Sequence, residues 1–174
     1  FSVTYGAGGS TKDGTKQAVL NIRAKGSDVA PHLSFGGDNA DKIEASLREY
    51  KNANVTRVVA LRGDMPSGMG GSVRLTYANE LVDFIREKTG DHFHIEVAAY
   101  PEVHPDSRSV ESDLNFFKAK VDAGANSAIT QYFYNPAAYF NFIDACEKKG
   151  VSIPIIPGIM PISNFQTLVR FSDM

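Results

Sequence analysis

One cysteine in 174 residues excludes an intrachain disulfide framework and fits a reducing, cytoplasmic compartment. No stretch approaches the ~20 consecutive apolar residues that a membrane helix needs. Neither sign of charge is in excess: 18 Lys+Arg face 20 Asp+Glu, for a formal net charge of −2. With no long basic run, the electrostatic case for nucleic acid is absent. No linker, low-complexity tract or repeat divides the chain, so its length reads as one domain. Neither an initiator methionine nor a signal-peptide pattern precedes the strand-like segment Phe1-Ser2-Val3-Thr4-Tyr5. Cys146 sits in a helical pattern with no histidine or helix N-terminus to lower its pKa, which assigns it to core packing.

What the chain does have is alternation. Strand-like runs are read at Ser2–Tyr5, Val29–Phe35, Arg57–Arg62, Phe93–Tyr100, Ser127–Phe133 and Ile153–Ile159. Helical patterns lie between them at about Lys12–Lys25, Asn39–Asn52, Ser72–Lys88, Arg108–Ala123 and Pro136–Lys149, and a last one starts near Ser163. Gly26, Gly90, Gly124 and Gly150 fall just past helix ends, and Asn135-Pro136 has the form of a cap followed by a first turn.

Regular βα alternation implies a parallel sheet with right-handed crossovers. A doubly wound sheet concentrates its ligand groups at one switch point. Here polar groups stand at almost every strand end: Thr4, His32, the Arg62/Asp64 pair, Tyr100 with Glu102 and His104, and Gln131. That spread favours the top face of a (β/α)₈ barrel, although six units do not close one.

The run Val58-Val59-Ala60-Leu61 ends in Arg62-Gly63-Asp64. A buried parallel strand that stops in two charges sets them at the mouth of the sheet; a salt bridge closing the strand is the competing reading. Gly6-Ala7-Gly8-Gly9-Ser10-Thr11 has the place of an anion-cradling turn but is neither a Walker A loop nor a Rossmann fingerprint. His92 and His94 share a strand face, without the further ligands a metal site needs. In Ala98-Ala99-Tyr100-Pro101-Glu102-Val103-His104-Pro105, two prolines stiffen a polar exit loop above two small residues. This suits a large planar cofactor or a rigid connection. Gln131 offers a donor and an acceptor among aromatics, as a heterocycle such as a pterin requires.

These residues resemble the methylenetetrahydrofolate reductase family. The resemblance rests on Val3-Thr4-Tyr5-Gly6-Ala7, Ala30-Pro31-His32-Leu33, Ala60–Asp64, Ala98–Pro105, Lys120–Ala125, Ile129-Thr130-Gln131 and Ile156–Pro161, in order over essentially the whole chain. It implies a (β/α)₈ TIM barrel, of which residues 1–174 supply roughly strands two to seven as the central portion of one catalytic domain. It further implies FAD at the C-terminal face, NADH or NADPH as hydride donor, and ping-pong reduction of 5,10-methylenetetrahydrofolate to 5-methyltetrahydrofolate. Homo-oligomerisation is expected by analogy.

Carried over by position, Thr4, His32, Arg62, Gly63 and Asp64 border the flavin, and Tyr77, Tyr100, His104, Asp113 and Lys120 hold its ribityl, phosphate and adenine portions. Asp64 and Gln131 take the catalytic roles: Asp64 favours a cationic folate intermediate, and Gln131 binds the pterin. Phe171 packs on folate or nicotinamide, and no metal is implied. The chain departs from the pattern at Phe116, where bacterial members carry asparagine, and at Thr167, where some carry glutamine. The family's general-acid glutamate, on its first strand, has no counterpart here, so the sequence is expected to belong to a longer polypeptide. Two rivals stand beside this reading. One is a catalytically incomplete flavin-binding module. The other is a barrel lyase or aldolase on a phosphorylated substrate, which lacks a Schiff-base lysine at a strand end because Lys118 and Lys120 fall on a helix.

Overall fold

A computed structural model describes residues 1–4, 12–35, 40–62 and 77–172. Among the described residues, six strands alternate with six helices: β1 (Ser2–Val3), α1 (Lys12–Ala24), β2 (Ala30–Ser34), α2 (Ala40–Asn52), β3 (Arg57–Leu61), α3 (Ala78–Thr89), β4 (His94–Ala99), α4 (Val110–Asp122), β5 (Ser127–Thr130), α5 (Pro136–Lys148), β6 (Ile155–Ile156) and α6 (Phe165–Ser172). The strands form one parallel sheet in the order β1-β2-β3-β4-β5-β6. A doubly wound sheet reverses its strand order at a switch point. This chain steps one strand at a time in a single direction, as in a (β/α)₈ barrel, and it forms a curled partial barrel.

The two-residue period of each strand divides the sheet into two faces. Leu33, Val58, Ala60, Ile95, Val97, Ala99 and Ala128 belong to one core with Val19, Ile43, Leu47, Leu81, Val82, Ile85, Leu114, Phe117 and Cys146 of the helices. The intervening residues line the inner face, where His32, Val59, Glu96 and Ser127 share one row of the register. Val58, Val59 and Ala60 are all buried, so β3 is covered on both faces. Burial lifts the Cys146 thiol to a pKa of about 11 and keeps it inert.

Most elements begin or end within a residue or two of the sequence reading, and the larger differences have local causes. Helix α3 starts at Ala78, not Ser72, because Tyr77 is extended (φ −72°, ψ 158°) and its amide is held by the Glu80 carboxylate. Strand β1 ends at Val3 and β5 at Thr130, short of Tyr5 and Phe133. Strand β6 covers only Ile155–Ile156 instead of Ile153–Ile159, since Pro154 and Pro157 have no N–H for the ladder. The chain still runs close against β5 after it stops pairing. Gly158 N–H donates to Thr130 Oγ1 (2.9 Å), and a Cβ at Gly158 would overlap the Thr130 carbonyl oxygen.

At the other end of the strands, Arg86 ties α3 to the turns that follow it. Its guanidinium donates to the carbonyls of Gly90, Phe93 and Gly124 and to Asn126 Oδ1. Gly124 presents its carbonyl there from a left-handed backbone, φ 110°, that glycine adopts without strain.

Candidate active site

The site is built on the strand ends, where the β4 exit loop gathers most of it. Tyr100 and His104 meet edge to face, ring centroids 4.5 Å apart. The His104 amide donates to Asp113 (3.2 Å), whose other oxygen accepts from Ser107 Oγ (2.9 Å). His104 Nδ1 accepts from the Asp106 amide (3.0 Å). Asp106 in turn pairs with Arg62 at 2.6 Å, tying the end of β3 to the loop after β4. The Arg62 guanidinium holds the Asp106 carboxyl below the usual aspartate range. Arg62, Tyr100, His104 and Asp113 therefore form one connected cluster.

Asp113, Phe116 and Lys120 lie three and four residues apart on α4, so they share one helical stripe. Lys120 is partly buried: its ammonium donates to the Ala98 carbonyl at 2.5 Å and lies 5.5 Å from the Phe117 ring centre. Burial lowers its pKa from 10.5 to about 8, with Asp113 partly offsetting this. The sequence reading placed Lys118 and Lys120 away from the strand ends, yet the long Lys120 stem carries its amine back to the end of β4. Phe116 stacks on Tyr77, rings 5.7 Å apart and 19° from parallel, and both are partly exposed. A groove of about 470 Å³ runs along the same helix past Ser112, Asn115, Phe116 and Ala119. Gln131 stands one strand over, its backbone N–H donating to the Ala99 carbonyl (2.8 Å) with the residue exposed.

Other candidates are not brought into the cluster. His32 lies in the middle of β2 and not at its end. Its Nε2 meets Ser2 Oγ at 2.6 Å, and burial lowers its pKa, partly offset by Glu96. Thr4 is exposed, and its carbonyl accepts from Thr15 Oγ1 (2.9 Å). Gly63, Asp64 and the Gly6–Thr11 loop lie outside the described residues, as does the side chain of Phe171 on α6. His92 and His94 are held by the Val55 carbonyl (3.1 Å) and Ser127 Oγ (2.8 Å). Beside them Arg57 pairs with buried Glu96 at 2.8 Å.

Sequence reasoning missed Asp106, Ser107 and the buried Glu96. Asp106 and Ser107 follow the second proline of the exit loop as ordinary turn residues, and only the fold makes them partners. Glu96 had a signal: a carboxylate inside an otherwise apolar strand needs a buried partner.

The methylenetetrahydrofolate reductase family model matches residues 1–174. The 5,10-methylenetetrahydrofolate reductase of Escherichia coli (strain K12) is 44% identical over 174 residues, 99% of this chain and 57% of that protein. The chain thus spans a little over half the length of that relative. Among solved structures, a phosphonopyruvate hydrolase superposes at TM-score 0.63 with 13% identity, over 83% of this chain and 50% of its own. An uncharacterized protein from Clostridium thermocellum that binds two copies of 5-methyl-5,6,7,8-tetrahydrofolic acid superposes at 0.59 with 16% identity, over 99% and 68%. At these identities the two structures share the fold alone with this chain.

Proposed function

The chain belongs to the methylenetetrahydrofolate reductase family, and from that premise we propose that its polypeptide reduces 5,10-methylenetetrahydrofolate to 5-methyltetrahydrofolate, with FAD as cofactor and NADH or NADPH as reductant. The observation that carries this reading is the cluster at the β3 and β4 ends, where Arg62, His104 and Lys120 sit beside Tyr100 and the stacked Tyr77/Phe116 pair. Cationic and N–H donors next to aromatic faces form the set that phosphates joined to heteroaromatic rings require. Lys120 sharpens the fit: an ammonium with its pKa depressed by burial gains from an anion brought within reach.

When bound, FAD supplies the hydride chemistry; the protein contributes orientation and electrostatics. Arg62, Tyr77, Tyr100, His104, Asp113 and Lys120 hold the dinucleotide, and Gly63 is assigned with Arg62 to the border of its flavin. Asp64 sets a negative charge where positive charge develops on the folate. Gln131 offers its amide to the pterin, and Phe171 packs on folate or nicotinamide. Thr4, just past β1, borders the flavin, and His32 lies deeper, on the inner face. The two substrates use one site in turn, and the chain associates with copies of itself.

Anaerobic mixing tests the reading. The flavin absorbance of the polypeptide carrying this chain falls with NADH or NADPH and returns with 5,10-methylenetetrahydrofolate. Asp64→Asn slows the folate step by roughly tenfold or more, through loss of charge stabilisation. Reduced flavin that folate leaves unchanged contradicts it.

A further inference from the structure

Val103 has φ 70°, a left-handed conformation that a β-branched residue adopts only under constraint. Asn54 shares positive φ, but asparagine takes that region readily. The Val103 turn returns its N–H to the Tyr100 carbonyl (3.3 Å) and sets the next side chain, His104, edge-on against the Tyr100 ring. His104 is then fixed at every polar atom of its backbone. Its amide donates to Asp113, and its carbonyl accepts from the Ser107 amide (2.9 Å). On the ring, Nδ1 faces the Asp106 amide at 3.0 Å. A backbone N–H can only donate, so Nδ1 is an unprotonated acceptor and the neutral ring carries its proton on Nε2.

We propose that His104 is a fixed hydrogen-bond donor, through Nε2–H, to an oxygen of the bound ligand, and that the left-handed turn at Val103 with the Asp106 amide holds it in that tautomer. Val103 is thus a positioning residue, acting through its backbone. The Arg62–Asp106 pair supports the device by anchoring the residue whose amide reads Nδ1. The proposal rests on the reading that this cluster binds a dinucleotide. It adds that the group met by His104 is an acceptor, such as a phosphate oxygen, and not a donor.

The test is the nitrogen-15 spectrum of the histidine rings in the ligand-free protein. His104 is one of four histidines, and its signals are those missing in H104Q. The expected tautomer is Nε2–H. V103G, for which positive φ carries no strain, retains it. V103P, whose ring fixes φ near −65° and removes the N–H to Tyr100, loses it, and circular dichroism checks that the variant folds. An Nδ1–H tautomer in the unsubstituted protein, or an unchanged one in folded V103P, overturns the proposal.

A second arm does not depend on V103P folding. H104Q places an amide donor near the Nε2 position and keeps FAD affinity within about threefold. H104E places an acceptor there and weakens it by roughly tenfold or more. Equal affinity of the two variants overturns the donor role. Absence of FAD binding in the unsubstituted protein instead defeats the dinucleotide reading, while the ring spectrum still decides the tautomer.

Discussion

Holding an ammonium inside a fold costs stability, and Lys120 keeps one at the end of β4 with its pKa lowered to about 8 by burial. The unfolded chain holds that proton more tightly, up to the ordinary 10.5. Between about 8 and 10.5 the unfolded state therefore binds more protons, so stability rises with pH across that window. Below about 8 both states are charged and the full penalty applies, a few kcal/mol at about 1.4 kcal/mol per pKa unit. K120M is therefore expected to raise stability at pH 7, by a margin that shrinks as pH rises from about 8 toward 10.5. Urea unfolding of both proteins across pH 7 to 10.5 checks this. The comparison must be made as a difference, because the buried Cys146 thiol, raised to about 11, acts in the opposite direction above pH 9. At this scale the residue types were legible in sequence and their reach was not. Lys120 belongs to a helix, yet its amine touches a strand carbonyl. His32 sits in a strand as read, but halfway along it.

Elements were easier to read where local chemistry fixes them. Asn135 caps α5 by accepting the Ala137 amide at 3.0 Å, and Pro136 opens the first turn. Both follow from capping preferences visible in sequence. The β4 exit loop was legible from its two prolines, although the left-handed Val103 between them was not, since nothing in a valine announces positive φ. Strand β6 is shorter than its apolar run because Pro154 and Pro157 bound it on either side. Its closeness to β5 makes a sharp expectation: G158A forces a methyl against the Thr130 carbonyl and lowers stability by about 1–3 kcal/mol, as overpacking does. A shift in the denaturant midpoint at constant slope measures it. Arg86 carries a second expectation. R86K keeps the charge but not the planar fork, leaving carbonyls of Gly90, Phe93 and Gly124 short of donors. The loss is about 2 kcal/mol or more, read in the same way.

For the molecule as a whole, the order β1 to β6 without reversal settles between the two architectures that βα alternation allows. It also explains why the site draws on several strands: in a barrel-like sheet every strand end faces the same rim. Polar residues recurring at those ends carried this in the sequence. What sequence did not carry was which of them meet, because Arg62 reaches its neighbours through Asp106, 44 positions away. The central claim is that this rim holds a flavin dinucleotide. Titrating FAD into the protein, followed by flavin fluorescence, tests it most directly. The expected result is saturable binding of one FAD per chain, weakened roughly tenfold or more in K120M by loss of the charge that meets the phosphates. Absence of saturable binding, or equal affinity in K120M, would contradict the account.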